Sequence, residues 1–122
     1  MGRFFLILAA LSGLLSVALG AFGAHALRTR LDDHALKIFH TGVEYQFFHT
    51  FALGLVGLLS LRHESSYLRS AGWAFLIGVF LFSGSLYGLT LCKLPKLGMI
   101  TPLGGTAFLV GWLLLALAIW KG

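Results

Sequence analysis

Between Phe4 and Leu27 the chain reads FFLILAALSGLLSVALGAFGAHAL, without a single charged residue. Arg3 precedes the run, and Arg28 and Arg30 close it. A helix needs about 20 apolar residues, rising roughly 1.5 Å each, to cross a bilayer. This run is long enough, and it decides how the remaining residues are read. The competing reading is a secretory signal peptide, with Arg3 as a short basic start and Ala24-His25-Ala26 as an A-x-A cleavage pattern. The apolar stretch exceeds the roughly 7–15 residues usual for such a signal. A retained first span is therefore expected.

Composition agrees with a membrane chain. Hydrophobic residues make up 58% of the 122 positions and charged residues 11%, with a mean hydropathy of +0.92. Soluble domains carry about 25% charged residues, so water could not solvate this surface on a compact monomer. A soluble enzyme, a disordered tail and a secreted disulfide scaffold are excluded, and the lipid bilayer is the expected partner. Cys92 is the only cysteine and has no intramolecular disulfide partner. The net charge of +5 comes from basic residues placed singly beside apolar runs. There they anchor helices at headgroups, and no nucleic-acid partner is expected.

Outward from the first run, the pattern predicts an all-α polytopic membrane protein. Residues 1–122 form one domain, with four transmembrane helices in a bundle spanning about 4–27, 43–61, 70–91 and 102–120. Arg28 to Lys37 reads RTRLDDHALK, where Asp32 or Asp33 can cap a helix. Leu36, Phe39 and Val43 then form an apolar stripe, which predicts a short amphipathic helix lying at the interface. The alternative is a helical extension of the second span. That second span must recruit Glu44, Tyr45 and Gln46 and carry His49, because the run Phe47–Leu61 is too short alone. Thr101-Pro102 opens the fourth helix, with Thr as N-cap and Pro at the first turn. Four crossings place both termini on one side. Positive charges divide four against five between the two sides, so they scarcely orient the chain. Arg3 and the α-amine set the expectation of cytoplasmic termini in a bacterial inner membrane.

This connectivity gathers the unusual polar residues at one membrane face. They are His25, Glu44, Tyr45, Gln46, His49, Ser83, Ser85, Tyr87 and Thr101, a candidate polar mouth for a ligand or for structure. Gly42, Gln46, His49, Leu53 and Gly57 share one helical face. An ionisable group at membrane depth costs a few kcal/mol and turns inward to a partner. His49 is accordingly expected to face the third span, within hydrogen-bonding reach of Ser83, Tyr87 or a water. Glu44 either reaches the headgroups or pairs with Arg28, Arg30 or Lys37. Small residues (Ser12, Ser16, Gly20, Gly84, Gly88, Gly104 and Gly105) are read as helix-packing positions. Di-iron bundles need repeated Glu-x-x-His pairs, and none occurs. No metal, cofactor or catalytic set is expected, since no nucleophile elbow, phosphate loop or H-E-x-x-H is present.

With these residues in view, the chain resembles the small YgdD-type inner-membrane protein family of bacteria, a domain of unknown function with eukaryotic transmembrane relatives. The resemblance is carried by Gly20-Ala21-Phe22-Gly23-Ala24-His25-Ala26-Leu27, by Tyr45-Gln46 with His49, and by Phe82-Ser83-Gly84-Ser85-Leu86-Tyr87. It continues through Gly98-Met99-Ile100-Thr101-Pro102-Leu103-Gly104-Gly105 to Gly111-Trp112. It implies a four-helix integral membrane protein with a retained first span, and it brings no activity or cofactor.

The leading expectation is a non-enzymatic helical bundle, acting as a homo-oligomer or an accessory subunit of a larger membrane complex. The alternative is small-ligand, proton or ion binding or transport at the one-sided mouth around His49. Four spans without an inverted repeat are few for alternating access, so transport would need an oligomer. A third reading is a membrane enzyme acting on lipid or quinone, with His49 as base.

Overall fold

Capping chemistry fixes where the helices start. Asp32 stands in extended conformation and its Oδ1 accepts the Ala35 N–H at 2.8 Å, satisfying one of the orphan donors of a first turn. Ser65 does the same for Leu68, more weakly, at 3.4 Å. In the computed structural model, which describes residues 1–122, the chain is all-α with four long helices. They are α1 (Gly2–Leu27), α2 (Asp33–Arg62), α3 (Ser66–Leu91) and α4 (Thr101–Lys121), the last led in by a 3₁₀ turn at Pro95–Met99. Three helical stretches are long and apolar enough to cross a membrane: Gly2–Leu27, Ser66–Leu91 and Pro95–Lys121. The second helix falls short of that apolarity, since Glu44, Gln46 and His49 interrupt its run.

Two expectations at the helix starts are corrected. The amphipathic stripe of Leu36, Phe39 and Val43 is no separate interfacial helix, because α2 runs unbroken from Asp33 to Arg62. Thirty residues at roughly 1.5 Å make about 45 Å, and nothing in the run breaks the helix. Phe39 gives the stripe its reason: it is fully buried, against Tyr87 and beside Gly23. Thr101 does not act as an N-cap either. The helix continues out of the preceding turn with Ile100 already helical, and the Thr101 hydroxyl pairs with Ser85.

Both termini and the α2–α3 loop lie at one end. Gly2 approaches the backbone of Gly57 and Leu61, Gly122 lies beside His63, and Lys121 Nζ sits 5.7 Å over the Tyr67 ring. At the other end Arg30, Asp32 and His34 share a groove with Lys93 and Pro95. Between these ends α1 packs on α2, α2 on α3, and α3 on α4. In lipid no water drives such contacts, so close fit must hold helices together. The fit is made by rings seated over glycines: Phe5 on Gly72, Phe108 on Gly78 and Phe75 on Gly111.

Two helices loosen locally. In α1 the Ala24 N–H bonds to the Leu19 carbonyl, and in α3 the Gly84 N–H bonds to the Val79 carbonyl. These five-residue steps are π turns, covering Ala18–Gly23 and Val79–Ser83. Such turns occur often at functional sites.

Candidate functional site

Gln46 is the residue around which the site is built. The helical phase of α2 turns it inward with Gly42, His49, Leu53 and Gly57, all of them buried. Its Nε2 donates to the Ser12 carbonyl of α1 at 3.1 Å and lies 3.4 Å from the Ser12 hydroxyl. Its Oε1 accepts the Tyr87 hydroxyl of α3 at 2.6 Å. One amide thus ties three helices. Ser12 Oγ also pairs with Thr50 Oγ1 at 2.6 Å, and the Thr50 hydroxyl donates to the Gln46 backbone carbonyl at 2.8 Å. Ser83, with no exposed surface, donates to the Gly42 carbonyl at 2.7 Å. Only a glycine at 42 fits there, since a Cβ would meet the Tyr87 ring at 2.9 Å.

His49 is buried, yet it faces another way than expected. It does not bond Ser83 or Tyr87 of α3. Its Nδ1 lies 2.7 Å from the Tyr45 carbonyl, and its Nε2 accepts the Trp112 indole N–H of α4 at 3.0 Å. An indole can only donate and a carbonyl can only accept. The proton therefore sits on Nδ1, and the ring is a neutral imidazole with both nitrogens engaged. Phe108 stacks on it with ring centroids 3.5 Å apart, Trp112 meets it edgewise and Phe75 lies tilted against it. The physical reason for the turn is that the Ser83 and Tyr87 hydroxyls of α3 are already engaged by Gly42 and Gln46, whereas α4 offers the Trp112 N–H and the flat face of Phe108.

The nine expected mouth residues accordingly separate into groups. Gln46, Ser83 and Tyr87 join one network with Ser12 and Thr50. His49 belongs to the aromatic layer. Ser85 and Thr101 pair with each other and stitch α3 to α4. His25 and Glu44 are exposed and join none of these. Glu44 forms no ion pair with Arg28, Arg30 or Lys37; the one ion pair in the chain joins Arg69 and Glu64 at 3.2 Å. Tyr45 lays its partly exposed ring on Phe82, with centroids 4.5 Å apart. The network also lies deeper than a mouth, since Ser12 is near the middle of α1. No three His, Cys, Asp or Glu side chains gather anywhere in the chain, and no buried side-chain polar atom lacks a partner.

Of the small residues, Ser12 and Ser16 face inward, Ser16 bonding the Ser12 carbonyl at 2.8 Å. Gly20 receives Val43, Gly88 receives Leu97, and Gly105 touches Phe82. Gly104 is the closest helix contact, lying against the backbone of Phe82. Gly84 is a correction: nothing lies within 4 Å of where its Cβ would be, because it faces a cleft and no helix.

That cleft, about 470 Å³, opens between α1 and α3. Leu8, Leu11 and Leu15 form one wall and Ile77, Phe80 and Gly84 the other, with Gln46 and His49 on its floor. At the terminal end Phe4 and Phe5 meet Trp73 and close it. Leu19 and Val79, whose carbonyls accept the two π-turn bonds, both line it.

Sequence reasoning missed Thr50, Phe108 and Trp112 as site residues. A signal existed for the last. Trp112 lies in mid-helix, outside the interfacial belt where tryptophan usually sits, and a buried indole N–H needs an acceptor.

Comparison with known proteins agrees with a membrane chain. The family described as "Protein of unknown function (DUF423)" matches residues 19–105. The chain is 42% identical over 120 residues to the UPF0382 membrane protein YwdK of Bacillus subtilis, covering 98% of each. It is 48% identical over 117 residues to a UPF0382 membrane protein of Haemophilus influenzae, covering 96% of this chain and 94% of that one. No solved structure matches. The chain belongs to the DUF423 family, whose members in many bacteria are named UPF0382 membrane proteins.

Proposed function

We propose that this member of the DUF423 family is a non-enzymatic, four-span protein of the bacterial inner membrane, with cytoplasmic termini. On this reading residues 1–122 are one domain that works by association, as a homo-oligomer or as an accessory subunit of a larger complex. The kinship with the YgdD-type family stays within this proposal. The observation that carries it is the state of the polar groups: every buried polar side chain is engaged by another group of the same chain. His49, the residue best suited to act as a base, has a donor on one nitrogen and a carbonyl on the other. Catalysis or proton relay would have to break that arrangement first.

The fourth crossing is assigned to α2. Its polar residues Gln46, His49 and Thr50 are turned inward, while Phe47, Phe48, Phe51, Leu55 and Leu58 are exposed. Lipid would therefore meet hydrocarbon along α2 although its mean composition is more polar, as expected for intramembrane polar residues.

Cysteine labelling tests the crossing, with Thr29→Cys and Ser66→Cys each placed in a Cys92→Ser background. A membrane-impermeant maleimide should reach the two sites from opposite sides, Ser66→Cys from the cytoplasm. Labelling of both from one side refutes the four-span reading. Chemical cross-linking in native membranes tests association: a chain that stays monomeric and partner-free under every mild detergent refutes it.

A further inference from the structure

We infer that the cleft between α1 and α3 is a binding site for one hydrocarbon chain of a membrane lipid. The cleft extends from Leu8 to Leu19 along α1, about 16 Å at the helical rise. The cleft holds about 470 Å³ over that length. A single file of methylene groups, whose carbon atoms meet their neighbours at roughly 4 Å, fits in it.

The chemistry of the lining selects the same occupant. The walls are aliphatic and aromatic, and the polar atoms on the floor already have partners within the chain. Water needs 2–4 polar partners to stay in such a space, and a polar ligand would find no free group to recognise it. Hydrocarbon needs none. Gly84 is the second observation. A glycine within a helix costs up to about 1 kcal/mol relative to alanine, and helix packing does not explain this one, because its Cβ position is empty to 4 Å. It lies in the wall of the cleft, just past the π turn of α3, and keeps the channel open at the level of Ser83 and Tyr87. The cleft is closed by Phe4, Phe5 and Trp73 at the terminal end, so the chain enters from the side or from the opposite end.

This site does not depend on the association reading, since a chain without partners can still hold a lipid. The test uses the full-length protein in nanodiscs of phosphatidylethanolamine and phosphatidylglycerol. A trace of phosphatidylglycerol carries a diazirine in its palmitoyl chain. After photolysis, adducts should concentrate on Leu8, Leu15, Ile77 and Phe80, severalfold above the exposed outer face of α4 at Leu109 and Leu113. Gly84→Phe fills the channel without meeting another helix. It should lower cleft adducts by roughly tenfold, equivalent to about 1.4 kcal/mol of binding, and leave those on α4 unchanged. Leu15→Phe, from the opposite wall, gives the same readout should the first variant fail to fold. Equal labelling of cleft and outer face, or an unchanged pattern in the folded variants, overturns the proposal. So does a disulfide between two copies of Gly84→Cys in a Cys92→Ser background, which would place a partner helix in the cleft.

Discussion

Replacing Gln46 with leucine removes the one side chain that links α1, α2 and α3, while nearly preserving its volume. Two interhelical bonds are lost, from Nε2 to the Ser12 carbonyl and from the Tyr87 hydroxyl to Oε1. Such bonds average about 0.6 kcal/mol in a bilayer protein and reach roughly 1.7, so the pair is worth about 1–3 kcal/mol. The 3.4 Å approach to Ser12 Oγ is long and adds little. Tyr87 is then left with a hydroxyl facing the apolar cleft, which costs about 1 kcal/mol more. Gln46→Leu is thus expected to lower stability by about 2–4 kcal/mol. Tyr87→Phe alone should cost about 0.6–1.7 kcal/mol. In the double variant the tyrosine change should recover about 1 kcal/mol, because it removes the hydroxyl that Gln46→Leu orphaned. A coupling of about 1.6–2.7 kcal/mol is therefore expected. Reversible unfolding in mixed micelles with increasing SDS, followed by tryptophan fluorescence, measures all four proteins. Strict additivity of the two changes would show that Tyr87 and Gln46 do not bond, and the three-helix hub would be refuted.

The aromatic layer and the glycines supply two more tests. Nitrogen-15 NMR of the His49 ring should show a protonated Nδ1 and a bare Nε2, and Trp112→Phe should shift the Nε2 signal and cost about 0.6–1.7 kcal/mol; a proton on Nε2 would break the Trp112 assignment. Gly104→Ala forces a methyl against the Phe82 backbone and should cost about 1–3 kcal/mol, the usual penalty of overpacking, whereas Gly84→Ala should be neutral or gain up to about 1 kcal/mol. Equal effects of the two substitutions in the SDS titration would mean that neither glycine occupies the environment described.

What the sequence could reveal divides along a physical line. Periodicity along one helix reports which side of that helix is turned inward, so the face of α2 with Gly42, Gln46, His49 and Gly57 was legible and is buried as a set. Lengths of apolar runs report crossings, so α1, α3 and α4 were legible within a few residues. Neither signal reports which neighbour an inward side chain meets. His49 and Gln46 differ by less than one turn, and His49 was expected to face α3. Gln46 does reach Tyr87, whereas His49 is rotated far enough to meet α4 at Trp112, 63 residues away. That choice depends on how Phe108 sits in the gap left by Gly78, a fit between two other helices that no local pattern encodes. The glycines follow the same logic. Gly84 and Gly104 read alike in a small-residue stripe, but one admits the backbone of a neighbouring helix and the other faces the cleft. A stripe of small residues therefore marks where close approach is permitted, and only the three-dimensional arrangement decides whether a helix or a lipid chain makes it.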